Sequence, residues 1–257
     1  HRPSSLSSMA DDNKDEHKDN NHQQYCLRDT HFKILHVSNH DQYSPTEQVL
    51  NEALQLTNKD YELQTLKDRS KLPDDLFDNF DTILLSVWSS IDVQKLGNLL
   101  ANAVDQGKHV VILLFSNATS YTYPQGRFVT EKYNAITRVP TQSIKGTLGK
   151  KYQPNHPIMN GINELTVGTE ARRAMGTIPE GEEESIDRIA DWDNGNVLIA
   201  IRHNKPGLIT EITCSFGTNG AIKDAKKLLN NALRLDRRKH PAINADVLRI
   251  CPSKLWK

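Results

Sequence analysis

The sequence predicts an α/β domain: a parallel β-sheet with helices on both faces, extended by antiparallel strands near the C-terminus. Three observations carry this reading. Short apolar runs alternate with segments of helical periodicity over residues 31–115, the rhythm of parallel strands joined by right-handed crossovers. The run HVVILLF, residues 109–115, is apolar after its first residue, as a central strand buried on both faces requires. After residue 185 the rhythm changes to IDRIADW, NVLIAIRH and LITEITCSF, separated by Asn194-Gly195 and Pro206-Gly207. Asn-Gly between two apolar runs marks a hairpin, so three antiparallel strands are expected there.

Taken in order, residues 1–30 are Ser, Asp, Asn, Lys, His and Gln with almost nothing to bury, and they are expected to form a disordered tail. The α/β domain is expected over residues 31–235 and a C-terminal tail over 236–257. HFKILHVS, residues 31–38, is the first strand. Ser44-Pro-Thr-Glu47 has the form of a capping box with Pro45 at the first helical position, and VLNEALQL follows with helical spacing. YELQTL, residues 61–66, is a second strand. Pro73 and Asp74 open a helical turn whose apolar face is Leu76, Phe77 and Phe80, and residues 82–87 form a third strand. In the helix expected over 92–106, Val93, Leu96, Leu99, Leu100 and Ala103 share a face, and Gly107 ends it. Residues 116–151 break into Tyr, Thr, Gly, Pro and Lys and read as a long irregular excursion. A final helix over 220–235 sets Ile222, Ala225, Leu228, Leu229 and Ala232 on one side.

Charge excludes some partners. Lys plus Arg and Asp plus Glu both number 32, so no field of one sign draws the chain to nucleic acid or to a membrane surface. A small molecule or a protein is the partner expected. The basic stretch RLDRRKH, residues 234–240, reads as a solvated helix end. Cys26, Cys214 and Cys251 offer neither a metal spacing nor a disulfide framework, which fits a reducing, cytoplasmic setting. No apolar run has the length of a membrane span and none follows the N-terminus as a leader would; the sequon Asn117-Ala-Thr119 is read as incidental. The chain opens on His1 while Met9 begins MADDNKDEHKDNNHQQ, as in a fragment or a start placed upstream of the true one. After the first strand, SNHDQYSP contains no glycine, so the phosphate-binding fingerprint is missing and no cofactor is expected. His36 and His40 are four apart but within and beyond a strand, so they do not share a face as metal ligands would on a helix.

Four segments together resemble a known family. NFDTILLSVWSS, LGNLLANAVDQGKHVVILLF, HPIMNGI and IADWDNGNVLIAIRHNKPGLITEI are similar to the class I glutamine amidotransferase-like superfamily, with its ThuA-like and non-catalytic branches nearest. The resemblance spans residues 32–235 and implies a flavodoxin-like sheet. It also implies that the His156-Pro157 loop precedes a strand joining the sheet. Pro157 keeps His156 out of helical conformation, Ile158 and Met159 plug the core, and Gly161 permits a turn. The functional alternative has His156 pointing into the crevice at the carboxyl edge of the sheet.

An active amidotransferase of this superfamily carries its cysteine on a strained Gly-x-Cys-x-Gly elbow between strand and helix. Here the central strand ends VILLFSNATSY, with Ser116 in place and no flanking glycine. The His-x-Glu that serves the nucleophile also has no counterpart, since ITCSFGTNG stands where it would fall. Glutaminase activity is not expected, and no catalytic residue is assigned. Ser116 as a serine nucleophile would need a base, His156 or His203; Ser116-Asn117 also reads as a strand cap and turn. In SYTYPQGRFVTEKY, Tyr121, Tyr123, Arg127, Phe128 and Tyr133 are suited to a sugar or peptide surface, or to the small core of a long loop.

Ligands of open parallel sheets bind outside the carboxyl ends of the strands. That rule groups Ser38, Asn39, His40, Trp88, Ser89, Ser116 and Asn117 around one crevice, with His156 as its natural base. Two functions follow. The first is a non-enzymatic binding or scaffold module of amidotransferase-like fold; the alternative is a ThuA-like hydrolase or sugar-processing enzyme using groups at the strand ends.

Overall fold

The apolar runs become strands, and each pairs with a neighbour that buries it. The structure, a computed structural model, describes residues 25–38, 44–57, 60–66, 69–114, 116, 122–137, 141–142, 145–168, 173–174, 176–217 and 221–237. In chain order the elements are β1 (Tyr25–Leu27), β2 (Phe32–Ser38), α1 (Glu47–Gln55), β3 (Tyr61–Thr65), β4 (Thr82–Ser86), α2 (Val93–Asp105), β5 (His109–Leu113), α3 (Arg127–Thr130) and β6 (Thr141–Gln142). They continue with β7 (Gly146–Lys151), β8 (Leu165–Val167), β9 (Arg173–Ala174), β10 (Ile186–Trp192), β11 (Val197–Arg202), β12 (Leu208–Ile212), β13 (Ile222–Lys223), α4 (Ala225–Arg234) and β14 (Leu235–Arg237).

Among the described residues one sheet runs β13-β8-β7-β10-β11-β12-β5-β4-β2-β3. From β3 to β12 the neighbours are parallel, and from β12 to β13 they are antiparallel. This is an α/β fold of flavodoxin-like kind with the antiparallel extension that the hairpin signals predict. The short pairs β1-β14 and β6-β9 lie outside that sheet.

Strand alternation divides the core in two. Ile34, Leu84 and Val111 face one way, under α1 and α4, which supply Leu50, Leu54, Leu228 and Leu229. Leu35, Ile83 and Ile112 face the other way, against Leu96, Leu100 and Val104 of α2 and Phe128 of α3. Each fully buried Leu or Val stabilises by roughly 1.5–3 kcal/mol relative to exposure, so both faces of the sheet must be covered. The helix over 92–106 is present, capped by the Asp92 carboxylate accepting the Lys95 N–H at 3.0 Å, and Gly107 follows it at φ 85°.

Five details depart from the expectations, one of them the final helix, which starts at Ala225 and leaves Ile222 exposed in β13. The first helix starts at Glu47, with Thr46 as its cap, accepting the Val49 N–H at 3.2 Å. Ser44 does not cap it, because its hydroxyl donates to the Ser86 carbonyl at 2.6 Å and holds Pro45 outside the helix. The polar tail does not extend through residue 30: Tyr25–Leu27 form β1 and pair with β14, which itself runs past residue 235. Within the predicted excursion, β7 joins the sheet beside β10. Finally, β12 ends at Ile212, so Cys214 lies past the strand, not inside it. Tails before residue 25 and after 237 fall outside the described residues.

Candidate functional site

The carboxyl edge of the parallel strands gathers hydroxyls around the end of β4. Ser38 and Ser86 are paired at the ends of β2 and β4. Ser116 follows β5; its Oγ accepts the Val87 N–H at 2.5 Å and donates to the Val87 carbonyl at 3.3 Å, and it is fully buried. Ser44 closes the same group through Ser86. Ser38, Ser44 and Ser86 are each at most 4% exposed. Trp88 and Ser89 are half-buried just beyond, and Ser89 accepts a hydrogen bond from Arg69 Nη1 at 2.7 Å. The structure thus brings Ser38, Trp88, Ser89 and Ser116 to one edge. Asn39, His40 and Asn117 lie outside the described residues.

The order of strands reverses between β2 and β4, since the chain moves from β2 to β3 on one side and then to β4 on the other. In the sheet β4 therefore separates β2 from β5. One contact there was not foreseen from sequence. His36 Nε2 lies 2.7 Å from Ser86 Oγ, both groups buried on the face under α1. No spacing in the sequence links residues 36 and 86; only knowledge that β2 and β4 are neighbours would have done so.

His156 is not part of this edge, and its expected place in the crevice is corrected. Its ring packs against Tyr25 with centroids 4.7 Å apart. Tyr25 belongs to β1, which with β14 sits beneath the amino ends of the sheet. Thr82, first in β4, donates to Leu233 O at 3.2 Å, and Arg237 reaches Gly207 O, just before β12, at 3.3 Å. Backbone geometry explains the placement. Pro157 starts a 3-10 turn over Pro157–Met159, and His156 caps it, Nδ1 accepting the Ile158 N–H at 3.2 Å. Ile158 and Met159 plug the core as expected, and Gly161 turns at φ 69°.

Tyr25 also donates to Asp187 Oδ2 at 2.7 Å, while Gln153 Nε2 donates to Oδ1 at 3.0 Å. Burial, and then the neighbouring Asp187, push the Tyr25 phenol well above its ordinary pKa. A cavity of about 620 Å³ opens beside this cluster, lined among others by Tyr25, Lys151, Asn155, His156 and Asn163. A second, of about 480 Å³, lies at the start of α2 between Lys71, Pro73, Asp92 and Lys95. Neither contains the hydroxyl group around β4.

The aromatic stretch resolves as packing. Tyr123, Phe128 and Tyr133 are all buried, Phe128 and Tyr133 stacked at 5.9 Å. The exposed flank is held by ions: Arg127 pairs with Asp105 at 2.8 Å, and Tyr133 donates to Asp105 at 2.6 Å. Tyr121 lies outside the described residues. Cys214 is buried, and burial raises its thiol pKa, which suits a core residue and not a nucleophile. Cys251 lies outside the described residues. Among the described residues no three His, Cys, Asp or Glu side chains gather as a metal site, and no helix is long and apolar enough to cross a membrane.

Comparison of the whole fold places it among known structures. A cytoplasmic protein from Salmonella typhimurium LT2 aligns with TM-score 0.56 at 12% identity, over 78% of this chain and 98% of that one. A ThuA-like protein from Bacteroides uniformis ATCC 8492 aligns with TM-score 0.54 at 9% identity, over 80% and 90%. Another from Parabacteroides merdae ATCC 43184 gives 0.51 at 14%, over 79% and 88%. The chain has the fold of these ThuA-like proteins, and at such identities the likeness speaks for the fold alone. No protein-family model matches the chain, and no curated protein matches it by sequence.

Proposed function

We propose that this domain is a non-enzymatic binding or scaffold module of amidotransferase-like fold. One observation carries the reading: the hydroxyl in the elbow's place, Ser116, is fully buried and spends its hydrogen bonds on the backbone of Val87. A nucleophile must instead be presented to substrate, with a base in reach and donors around the reacting atom. Ser116 here ties β5 to β4. Its partner is a small molecule or a protein, and its setting is the reducing one that its cysteines fit. A bound ligand would lie at the carboxyl edge, against Trp88 and Ser89 and the loops that carry Asn39, His40 and Asn117.

A second reading, a ThuA-like hydrolase or sugar-processing enzyme, is favoured by the His36–Ser86 contact of 2.7 Å, the one hydroxyl–imidazole pair at this edge among the described residues. One experiment separates the two. The protein is treated with a fluorophosphonate, which phosphonylates activated serines with loss of fluoride, and the mass of the intact chain is followed. The binding module leaves the mass unchanged. A stoichiometric adduct that disappears in Ser86→Ala establishes the hydrolase and overturns the module.

A further inference from the structure

The two edges of the ten-stranded sheet are built differently. At one, β13 is only two residues long and Lys223 takes φ 69°, so the backbone turns away from any added strand. Short strands and twisted ends are how sheets protect an edge. At the other, β3 is five residues long, YELQT, with neither Pro nor Lys in it, and among the described residues it has β2 as its one neighbour.

The register of β3 states which amides are on offer. Leu66 N–H donates to His36 O at 2.9 Å, so in a parallel ladder the even-numbered residues of this segment bond to β2. The odd-numbered ones, Tyr61, Leu63 and Thr65, direct their N–H and C=O outward. Three outward residues on alternating positions are what an antiparallel partner needs.

We propose that β3 pairs antiparallel with β3 of a second copy of this chain, about a two-fold axis through Leu63, making one sheet across the dimer. The sequence of the strand is self-complementary in that register. Tyr61 falls opposite Thr65 of the second copy, an aromatic against a β-branched residue, and Glu62 falls opposite Gln64, a carboxylate against an amide donor. No like charges meet within the strand. Glu62 is in addition balanced by Lys33 at 3.1 Å, which reduces the repulsion two acidic edges would otherwise have. On the inner face Tyr61 and Leu63 already pack against the core beneath α1, so the dimer extends an apolar layer that is open at its rim. An isologous contact of this kind closes on itself and leaves no further free edge on that side.

Sedimentation equilibrium of the full chain, over a wide concentration range, tests the proposal with two exposed substitutions at one position. Gln64→Lys sets a cation opposite Glu62 twice per dimer, and Gln64→Glu sets an anion there twice. The wild type is expected to dimerise. Gln64→Lys is expected to tighten the dimer and Gln64→Glu to loosen it, each by roughly two- to tenfold in Kd, from the usual size of cross-strand charge pairs. Thermal unfolding extrapolated to low concentration should be unaltered, because position 64 is exposed. A wild type and a Gln64→Lys variant that both remain monomeric overturn the proposal. So does a dimer whose Kd ignores both substitutions, since its interface then lies elsewhere.

Discussion

Gly97 sits inside α2, where alanine should be the better residue by about 1 kcal/mol on helix propensity alone. Its surroundings reverse that expectation. A Cβ at Gly97 would come within 1.7 Å of the Gln125 carbonyl oxygen. That backbone cannot easily retreat, since Gln125 N–H donates to Val93 O at 2.9 Å and Arg127 N–H donates to Asn98 Oδ1 at 2.9 Å. Gly97→Ala is therefore expected to destabilise the fold by roughly 1–3 kcal/mol, the usual cost of overpacking, seen as a lower urea midpoint with an unchanged slope. A midpoint that stayed or rose would mean the 122–126 segment yields. The same scale is where sequence reading failed most. Ser44 carries a capping signature, but its hydroxyl goes to a strand end far along the chain and Thr46 takes the cap. His156 has a base's chemistry, but its neighbour Pro157 and the tilted Tyr25 ring against it put it under the sheet. A side chain's partner across the fold leaves no local trace.

Elements were legible in proportion to their length and period. The α2 helix repeats its apolar face over thirteen residues, and the five residues of β5 are all buried; both stand out in the sequence. β1, β7 and β8 do not. β7, GTLGKK, is exposed or half-buried over most of its length, and β1 and β8 have three residues each, too few to show alternation. These strands exist because partners hold them. Removing residues 25–28, and β1 with them, should then be costly for its size. It strips the buried Tyr25 and leaves Asp187 one donor poorer. Relative to a chain beginning at Tyr25, the loss is expected to be about 3 kcal/mol or more, measured by chemical denaturation. A loss under about 1 kcal/mol would make β1 an ornament of the fold.

The whole molecule should lose stability as pH falls, in part through the buried imidazole of His109. His109 begins β5, and its Nε2 lies 2.9 Å from Thr210 Oγ1 across the β5–β12 pair. Burial first, then the charge of Arg28, depress its pKa from 6.5 to about 3. Above pH 6.5 the folded and unfolded chains are both neutral at this residue, and stability is full. Between 6.5 and about 3 the unfolded chain takes up a proton that the folded one refuses, so stability drops by up to about 1.4 kcal/mol per pH unit. Asp224 adds a loss in the same direction at lower pH. Its carboxylate, held by the backbone N–H groups of Glu164 and Asn163, has its pKa lowered from 3.8 to about 2. Denaturation series at several pH values should show the slope, and His109→Gln should flatten it between pH 4 and 6.5 while leaving the more acidic limb. An unchanged slope in the variant would assign acid sensitivity to other groups.

The pairing of β1 with β14 has a mechanical consequence. Tyr25 stands opposite Arg237 at the outer end of that short ladder, so the entry to β1 and the exit from β14 lie side by side. A domain with adjoining entry and exit can be spliced into a surface loop of another protein without spreading that loop apart. Tension applied through the two ends would act on this ladder in the direction that opens it rung by rung, from Tyr25–Arg237 to Leu27–Leu235. The first event under load would be a small, reversible lengthening, reached well before force is felt by the parallel strands above.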